Sequence, residues 1–244
     1  MSQSEPAADR VLDPTAPAVP ARHEADRRRD PEETKLRLLD AAEHLFAERG
    51  FDGASLRAVT QAARTSVSAA HYHFGSKEAL LVATIERRLA PILRARLDRL
   101  DALEREAAGA PLAIEAILDA FLRPIFEERA ARADAGDGFR RIAARLFSDP
   151  PPVVADLKQR VFGETMERFM AVLEPALPDR SREAIALDLQ FLVGIMIHVT
   201  SGHLEDAPGP SPLPDLAGLS DETVLQRMIQ FAAAGIRAAA RSPR

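Results

Sequence analysis

Small hydroxyl, imidazole and phenol side chains concentrate between residues 55 and 77 of this 244-residue chain. These groups donate and accept hydrogen bonds, which suits phosphate oxygens and base edges. They form no nucleophile–base constellation: Ser68 and His71 are only neighbours on one predicted helix, and we predict no enzyme activity. His71-Tyr-His73 is a weak metal motif because no third ligand follows nearby, so we predict no metal and no cofactor. The residue types favour binding over catalysis.

Serines divide this segment into helices. We predict one helix from Ser55 to about Ala62, a second from Ser66 to about Phe74, and a long helix that begins at Ser76. Serine is a preferred N-cap because its hydroxyl accepts a hydrogen bond from a first-turn backbone N–H. Four apolar residues have the spacing to pack the two short helices onto the preceding one: Leu56, Val59, Ala63 and Phe74.

Two short helices joined by a tight turn are typical of a helix-turn-helix, whose second helix enters the DNA major groove. Small residues at the start of that helix let the backbone approach base edges, and their methyl groups suit thymine methyls. Lys77 is expected to hold a phosphate at a helix N-terminus. For Tyr72 the alternative is simple packing. The residues predicted to contact DNA are Ser55, Arg64, Thr65, Ser66, Val67, Ser68, Ala69, His71, Tyr72, His73 and Lys77.

The charge of the chain is unevenly distributed. Its formal net charge is −5, yet the segment from Arg49 to Lys77 carries four cations and one anion, which leaves −8 for the remainder. A basic face on an acidic body can dock on phosphates while the acidic part suppresses indiscriminate binding. With no cysteine and no apolar run longer than the ten residues at 191–200, we expect a soluble cytoplasmic protein without a membrane partner.

Ala, Leu, Arg and Glu dominate the chain, which predicts an all-α fold of about nine helices. We expect a three-helix N-terminal head followed by a helical bundle. Asp30 and Pro31 are suited to begin the first helix, and Gly50 to end it. Pro91 is expected to kink or split the long fourth helix, and a short helix is expected over 139–147.

Residues 31–80 resemble the N-terminal domain of the TetR family of bacterial transcriptional regulators. The resemblance covers Ala41-Ala-x-x-Leu-Phe-Ala-x-x-Gly50, the two short helices, and the characteristic string Tyr72-His-Phe-Gly-Ser-Lys-Glu-Ala-Leu80. It implies a homodimeric repressor that binds a near-palindromic double-stranded DNA operator and is released by a small ligand. Arg64 stands where the family usually has glycine. If that position needs a positive φ, arginine costs about 1 kcal/mol there.

Residues 1–30 are rich in Pro, Ala and charge and lack apolar periodicity, so we expect a disordered arm there. After it we expect the helix-turn-helix domain over 31–77 and, as the resemblance implies, a ligand-sensing and dimerisation domain over 78–244. The last two helices would form a four-helix dimer bundle, although ordinary monomer core is the alternative. Similarity of residues 87–101 and 120–124 to fatty-acid-responsive members suggests an acyl-type or other apolar effector. The residues expected to line its pocket are Phe121, Arg123, Phe126, Phe147, Phe162, Met166, Phe169 and His198.

Not all of these pocket residues need to touch a ligand. The aromatic and methionine side chains could be plain core, Arg123 a surface residue, and His198 a core histidine with its hydrogen bonds made. At the level of function, the alternatives to a regulator are a helical interaction scaffold without DNA affinity and an enzyme.

Overall fold

The computed structural model describes residues 30–131, 139, 142–143, 152–200 and 218–239. Within these ranges the chain forms helices and no strands, which confirms the all-α prediction. Phe139, Ile142 and Ala143 are helical where a further short helix was expected, and the rest of that prediction, like the arm over 1–29, lies outside the described residues. Eight helices have both ends within the described residues: α1 (Pro31–Gly53), α2 (Leu56–Ala62), α3 (Val67–Phe74), α4 (Lys77–Ala107), α5 (Ile114–Ala131), α6 (Pro152–Ala176), α7 (Arg182–Thr200) and α8 (Asp221–Ala239).

Side-chain caps fix where the helices of the head begin. Ser55, Ser66 and Ser76 each accept a hydrogen bond at 3.1 Å from the backbone N–H three residues further on. Asp30 caps α1 in the same manner, accepting from the N–H of Glu32 at 3.0 Å. These caps confirm the predicted starts of the four helices, and they satisfy N–H groups that would otherwise lack a partner.

Gly50 and Pro91 are two positions at which the sequence predicted a change in the path of a helix. Gly50 has φ 71° and ψ 177°, so the regular part of α1 ends there, as predicted, before a last turn that reaches Gly53. Pro91 was expected to kink or split α4; the helix runs through this residue from Lys77 to Ala107, so it is not split there, and a kink stays a prediction. Pro91 is exposed, and the adjacent Ile92 and Leu93 are buried. We attribute the continuity of α4 to this packing, which offsets the backbone hydrogen bond that proline cannot make.

Helix α4 connects two hydrophobic cores. The head core is built on α1, α2 and α3 and includes Leu38, Phe46 and Val59 together with Leu80 from the first turn of α4. The body core gathers α5, α6, α7 and α8 and includes Leu100 from the far half of α4. One uninterrupted helix therefore belongs to both cores.

Helix α7 is the one described helix that is long and apolar enough to cross a membrane by length and composition alone. Only 28% of its most apolar window is buried. In this structure α7 packs against α5, α6 and α8 of the bundle.

Candidate nucleic-acid interface and the body behind it

Helix α3 presents most of its surface to solvent. The Tyr72 side chain is 83% exposed and that of Val67 39% exposed, so neither is sealed in the core. Ala70 is the buried residue of this helix and holds it against the head. The small and hydroxyl-bearing side chains predicted to meet base edges are thus accessible. Exposed among the predicted contacts are Ser55, Arg64, Ser66, Val67, Ser68, His71 and Tyr72, and half-buried are Thr65, Ala69, His73 and Lys77.

The C-terminal end of α3 is closed by a histidine and a glycine. Gly75 has φ 78°, a conformation that favours glycine, and its carbonyl accepts a 2.7 Å hydrogen bond from Nδ1–H of His71. Since a carbonyl only accepts, Nδ1 of His71 is the donor in this contact. The rings of Tyr72 and His73 meet edge to face at 5.2 Å. These contacts restrict all three side chains predicted to reach DNA from this turn.

The turn between α2 and α3 places Arg64 at φ 51°. It is closed by hydrogen bonds from the N–H of Arg64 to the Gln61 carbonyl at 3.1 Å and from the N–H of Thr65 to the Thr60 carbonyl at 2.9 Å. A positive φ favours glycine, so Arg64 carries the backbone cost expected above for this position. The turn puts a guanidinium-bearing side chain two residues before Ser66, the cap of α3.

Lys77 at the start of α4 lies over an aromatic ring. Its Nζ is 4.2 Å from the centroid of the Phe51 ring, a cation–π geometry that positions the ammonium. Glu78 lies beside it, and hydrogen bonds from its own backbone N–H and from Ser76 lower the pKa of its carboxyl group. The Glu78 carboxylate therefore already uses the N-terminus of α4. A phosphate at this place would depend on the Lys77 ammonium rather than on unoccupied backbone N–H groups.

A buried ion-pair cluster joins the head to α4 and α5. Glu43 of α1 accepts hydrogen bonds from Arg87 at 2.9 Å and from Nε of Arg88 at 2.9 and 3.0 Å. Arg88 also reaches Glu128 of α5 at 3.4 Å. Glu43 and Arg88 are both buried. Sequence reasoning missed this cluster, although its signal is a pair of charged residues on otherwise apolar faces of α1 and α4.

The predicted pocket residues fall into three groups. Phe121, Phe126 and Phe169 are buried, and the rings of Phe121 and Phe169 pack edge to face at 5.0 Å. Phe162 and Met166 are half-buried. Phe147 lies outside the described residues. The buried rings belong to the body core, and their contact with a ligand stays a prediction.

The two polar groups expected in that pocket are placed differently. Arg123 binds Asp119 at 2.7 Å and Glu222 of α8 at 2.8 Å. These hydrogen bonds raise the pKa of Arg123 and lower that of Glu222 to about 2. Arg123 is thus engaged in attaching α8 to α5. His198 is exposed on α7, so it is not a core histidine.

A different arginine is buried in the body. Arg96 of α4 is 2% exposed; its Nε donates to the Phe121 carbonyl at 2.7 Å and its Nη2 lies 3.2 Å from Sδ of Met196. The guanidinium carbon lies 4.0 Å from the centroid of the Phe121 ring. Burial lowers the pKa of Arg96 to about 9, which leaves it cationic at neutral pH. Sequence reasoning missed it, although Ile92, Arg96 and Leu100 follow one another at helical spacing.

Helices α7 and α8 expose an apolar face. Phe191 is 61% exposed and Phe231 is 69% exposed, while Leu187 is also accessible. A groove of about 820 Å³ runs beside them, lined by both helices and by Arg129 and Leu219. Large exposed apolar side chains on neighbouring helices mark surfaces that bind other molecules. We call the surface of Leu187, Phe191 and Phe231 the apolar face.

The comparisons with known proteins agree with this arrangement. Residues 38–84 match the family model described as bacterial regulatory proteins of the tetR family, and residues 119–235 match a tetracycline repressor-like C-terminal domain. The chain is 30% identical over 162 residues to the HTH-type transcriptional repressor KstR2 of Rhodococcus jostii (strain RHA1), which covers 64% of this chain and 72% of KstR2. The chain belongs to the TetR family. Members of this family are transcriptional regulators that bind DNA and act as dimers, and they are not enzymes.

Two other similarities are more local or concern only the fold. The HTH-type transcriptional regulator UidR of Escherichia coli (strain K12) is 42% identical over 52 residues. That match spans 21% of this chain and only 26%, about a quarter, of UidR. The crystal structure of a transcriptional regulator from Pseudomonas aeruginosa PAO1 superposes with a TM-score of 0.62 at 19% identity, covering 88% of this chain and 96% of the other. This last similarity shows the fold.

Proposed function

We propose that this TetR-family regulator is a cytoplasmic repressor that holds a near-palindromic operator as a homodimer and is released by a small apolar ligand. The observation that carries the proposal is the exposed surface of α3, where Tyr72 and Val67 face solvent on a helix fixed by caps at both ends. In a helix-turn-helix this second helix lies in the major groove. The repressor function of KstR2 supports the direction of regulation.

The proposed contacts separate into two kinds. Lys77 and Arg64 are cations beside α3 and would bind phosphates, which position the protein without reading sequence. Ser55 uses its oxygen as an acceptor in its cap, and its O–H can still donate to a phosphate. Base edges would be met by the α3 surface, with methyl groups from Val67 and Ala69 against thymine and the Tyr72 hydroxyl as a donor or acceptor.

Dimerisation would be provided by the apolar face on α7 and α8. A helix-turn-helix dimer needs its two reading helices about 34–36 Å apart, one turn of DNA. A second copy that covers Phe191 and Phe231 removes large apolar side chains from water, which is the dominant favourable term in protein association. This assignment agrees with the similarity of residues 119–235 to the family's C-terminal domain.

Release would be transmitted by α4. This helix carries Lys77 at one end and Leu100 of the body core further along, and Arg88 ties it to Glu43 of the head. A ligand that displaces the body half of α4 would therefore move the head. Because both heads must engage at once, a small change in their separation lowers operator affinity.

A footprint on the DNA upstream of its own gene, at two salt concentrations, tests the proposal. We expect Lys77→Gln to weaken binding to all sequences and to make the slope of log K against log salt shallower by about 1. Tyr72→Ala should instead reduce discrimination between operator and unrelated DNA. Arg94→Gln, an exposed change on α4 in the body, is the control and should leave both quantities unchanged. If the Lys77 and Tyr72 variants behave like the control, α3 is not the reading helix.

A further inference from the structure

We infer that Arg96 anchors the anionic end of the effector, and that this effector is a monocarboxylate with an apolar body. The inference rests on the proposed ligand-responsive function and names the ligand class. It depends on an arginine whose charge has no anionic counterpart in the described structure.

The partners of Arg96 are all neutral. They are a backbone carbonyl, a thioether sulfur and an aromatic face, belonging to Phe121 and Met196. Within the described ranges no carboxylate forms an ion pair with Arg96. A charge removed from water without a countercharge is costly, and buried charges in proteins are normally paired. An anion that enters the body would complete this site.

Arg88, two turns earlier on the same helix, shows the contrast. It is buried to a similar degree, but Glu43 and Glu128 neutralise it. Its guanidinium is therefore already saturated by carboxylates. Arg96 offers the same planar donor group without them, and that group matches the two oxygens of a carboxylate.

The side chains around Arg96 indicate the chemical nature of the rest of the ligand. Arg96 lies where α4 meets α5 and α7, and the Phe121 ring that it contacts packs against Phe169 in the body core. One guanidinium balances one negative charge, and the neighbouring side chains offer apolar contact. These two features favour a monoanion with a hydrocarbon or aromatic body over a nucleotide or a sugar phosphate.

A structural change would follow from the same contacts. A carboxylate is a stronger acceptor for Arg96 than a thioether, so it would draw Nη2 away from Met196 of α7. Met196 is unbranched and flexible and can yield space. The Phe121 carbonyl bound by Arg96 lies three residues before Pro124, where α5 lacks one backbone hydrogen bond. A ligand that binds Arg96 would therefore weaken the contacts that this residue makes from α4 to α5 and α7.

Calorimetric titration of the full purified chain tests the inference with matched probes. Decanoate is compared with decanamide, and 1-naphthoate with 1-naphthamide, so that only the charge changes within each pair. We expect at least one carboxylate to bind about tenfold or more tightly than its amide, a difference of about 1.4 kcal/mol. Arg96→Met should bring that ratio close to one. Arg94→Met, exposed on the same helix, should leave it unchanged.

Three results would overturn the inference: neither carboxylate binds, amides bind equally well, or Arg96→Met retains the preference. The ratio measured in the unmodified protein needs no variant to fold, and Arg96→Lys, which keeps the charge, should retain part of the preference. The operator footprint separates this inference from the proposed function. Protection of the operator without any carboxylate preference contradicts only the role of Arg96, whereas absence of protection contradicts the function itself.

Discussion

Arg64 holds a backbone conformation that its side chain disfavours. Its φ of 51° lies in the left-handed region, where a Cβ atom crowds the following carbonyl. The turn needs this conformation because the N–H groups of Arg64 and Thr65 must reach carbonyls of α2 before α3 begins. We interpret the arginine as a residue that provides positive charge beside the helix proposed to face DNA, at some expense of stability.

Two substitutions of Arg64 distinguish the effect of its charge on DNA binding from the effect of its backbone conformation on stability. Arg64→Ala removes the guanidinium and keeps the crowded Cβ, whereas Arg64→Gly removes both. We expect Arg64→Gly to be more stable than Arg64→Ala by about 1 kcal/mol in urea unfolding, because glycine adopts positive φ without a steric penalty. The two variants should bind DNA with equally reduced salt dependence. Equal unfolding free energies would show that the turn is not strained at this residue.

The two buried arginines of α4 differ in what neutralises them. Arg88 is surrounded by carboxylates and connects α1, α4 and α5, whereas Arg96 has neutral partners from α5 and α7. A buried charge with complete partners serves to position helices. A buried charge without an anion is a potential site for one, which is why the same residue type receives two roles here.

At the scale of elements, α4 is the part on which the proposed release mechanism depends. It enters the head core through Leu80 and Ile85 and the body core through Leu100, and it is not broken at Pro91. The Glu43–Arg88 pair lies between these two attachments. A rigid helix fixed at this point converts displacement at one end into displacement at the other.

Removing the central carboxylate should weaken this attachment. We expect Glu43→Gln to lower the free energy of unfolding by about 3 kcal/mol, since it leaves the buried Arg88 with an incomplete set of partners. Asp40→Asn is a matched control, because Asp40 also binds Arg87 but its side chain is 71% exposed. Its effect should stay below about 1 kcal/mol. Similar urea unfolding curves for both variants would contradict a positioning role for Glu43.

Local patterns predicted the elements well, and tertiary contacts account for what they missed. Ser55, Ser66 and Ser76 could be assigned as caps because a cap depends on a few neighbouring residues. The course of α4 through Pro91 depends on packing from other helices. Arg96 and the pairing of Arg123 with Glu222 depend on residues that lie 25 and 99 positions away. Sequence spacing holds no direct trace of such distant partners.

At the scale of the whole molecule, charge and apolar surface are segregated. The segment from Arg49 to Lys77 is basic within a chain of net charge −5, and large exposed apolar side chains occur on α7 and α8 of the body. Only 28% of the most apolar window of α7 is buried, so packing within the described chain does not account for its apolar composition. A partner that covers the apolar face would give the helix the environment its composition requires.

A charge placed in the apolar face should separate the proposed dimer. We expect Phe191→Glu to shift the mass in light scattering from twice the chain mass to that of one chain, because two carboxylates would be buried without partners at a symmetric interface. The variant should also leave the operator unprotected at concentrations where the unmodified protein protects it, because a monomer has one head and makes only half of the DNA contacts. Leu36→Glu, an equally charged change at an exposed apolar residue of α1, should leave the mass unchanged. A Phe191→Glu protein that remains dimeric would place the subunit interface elsewhere on the molecule.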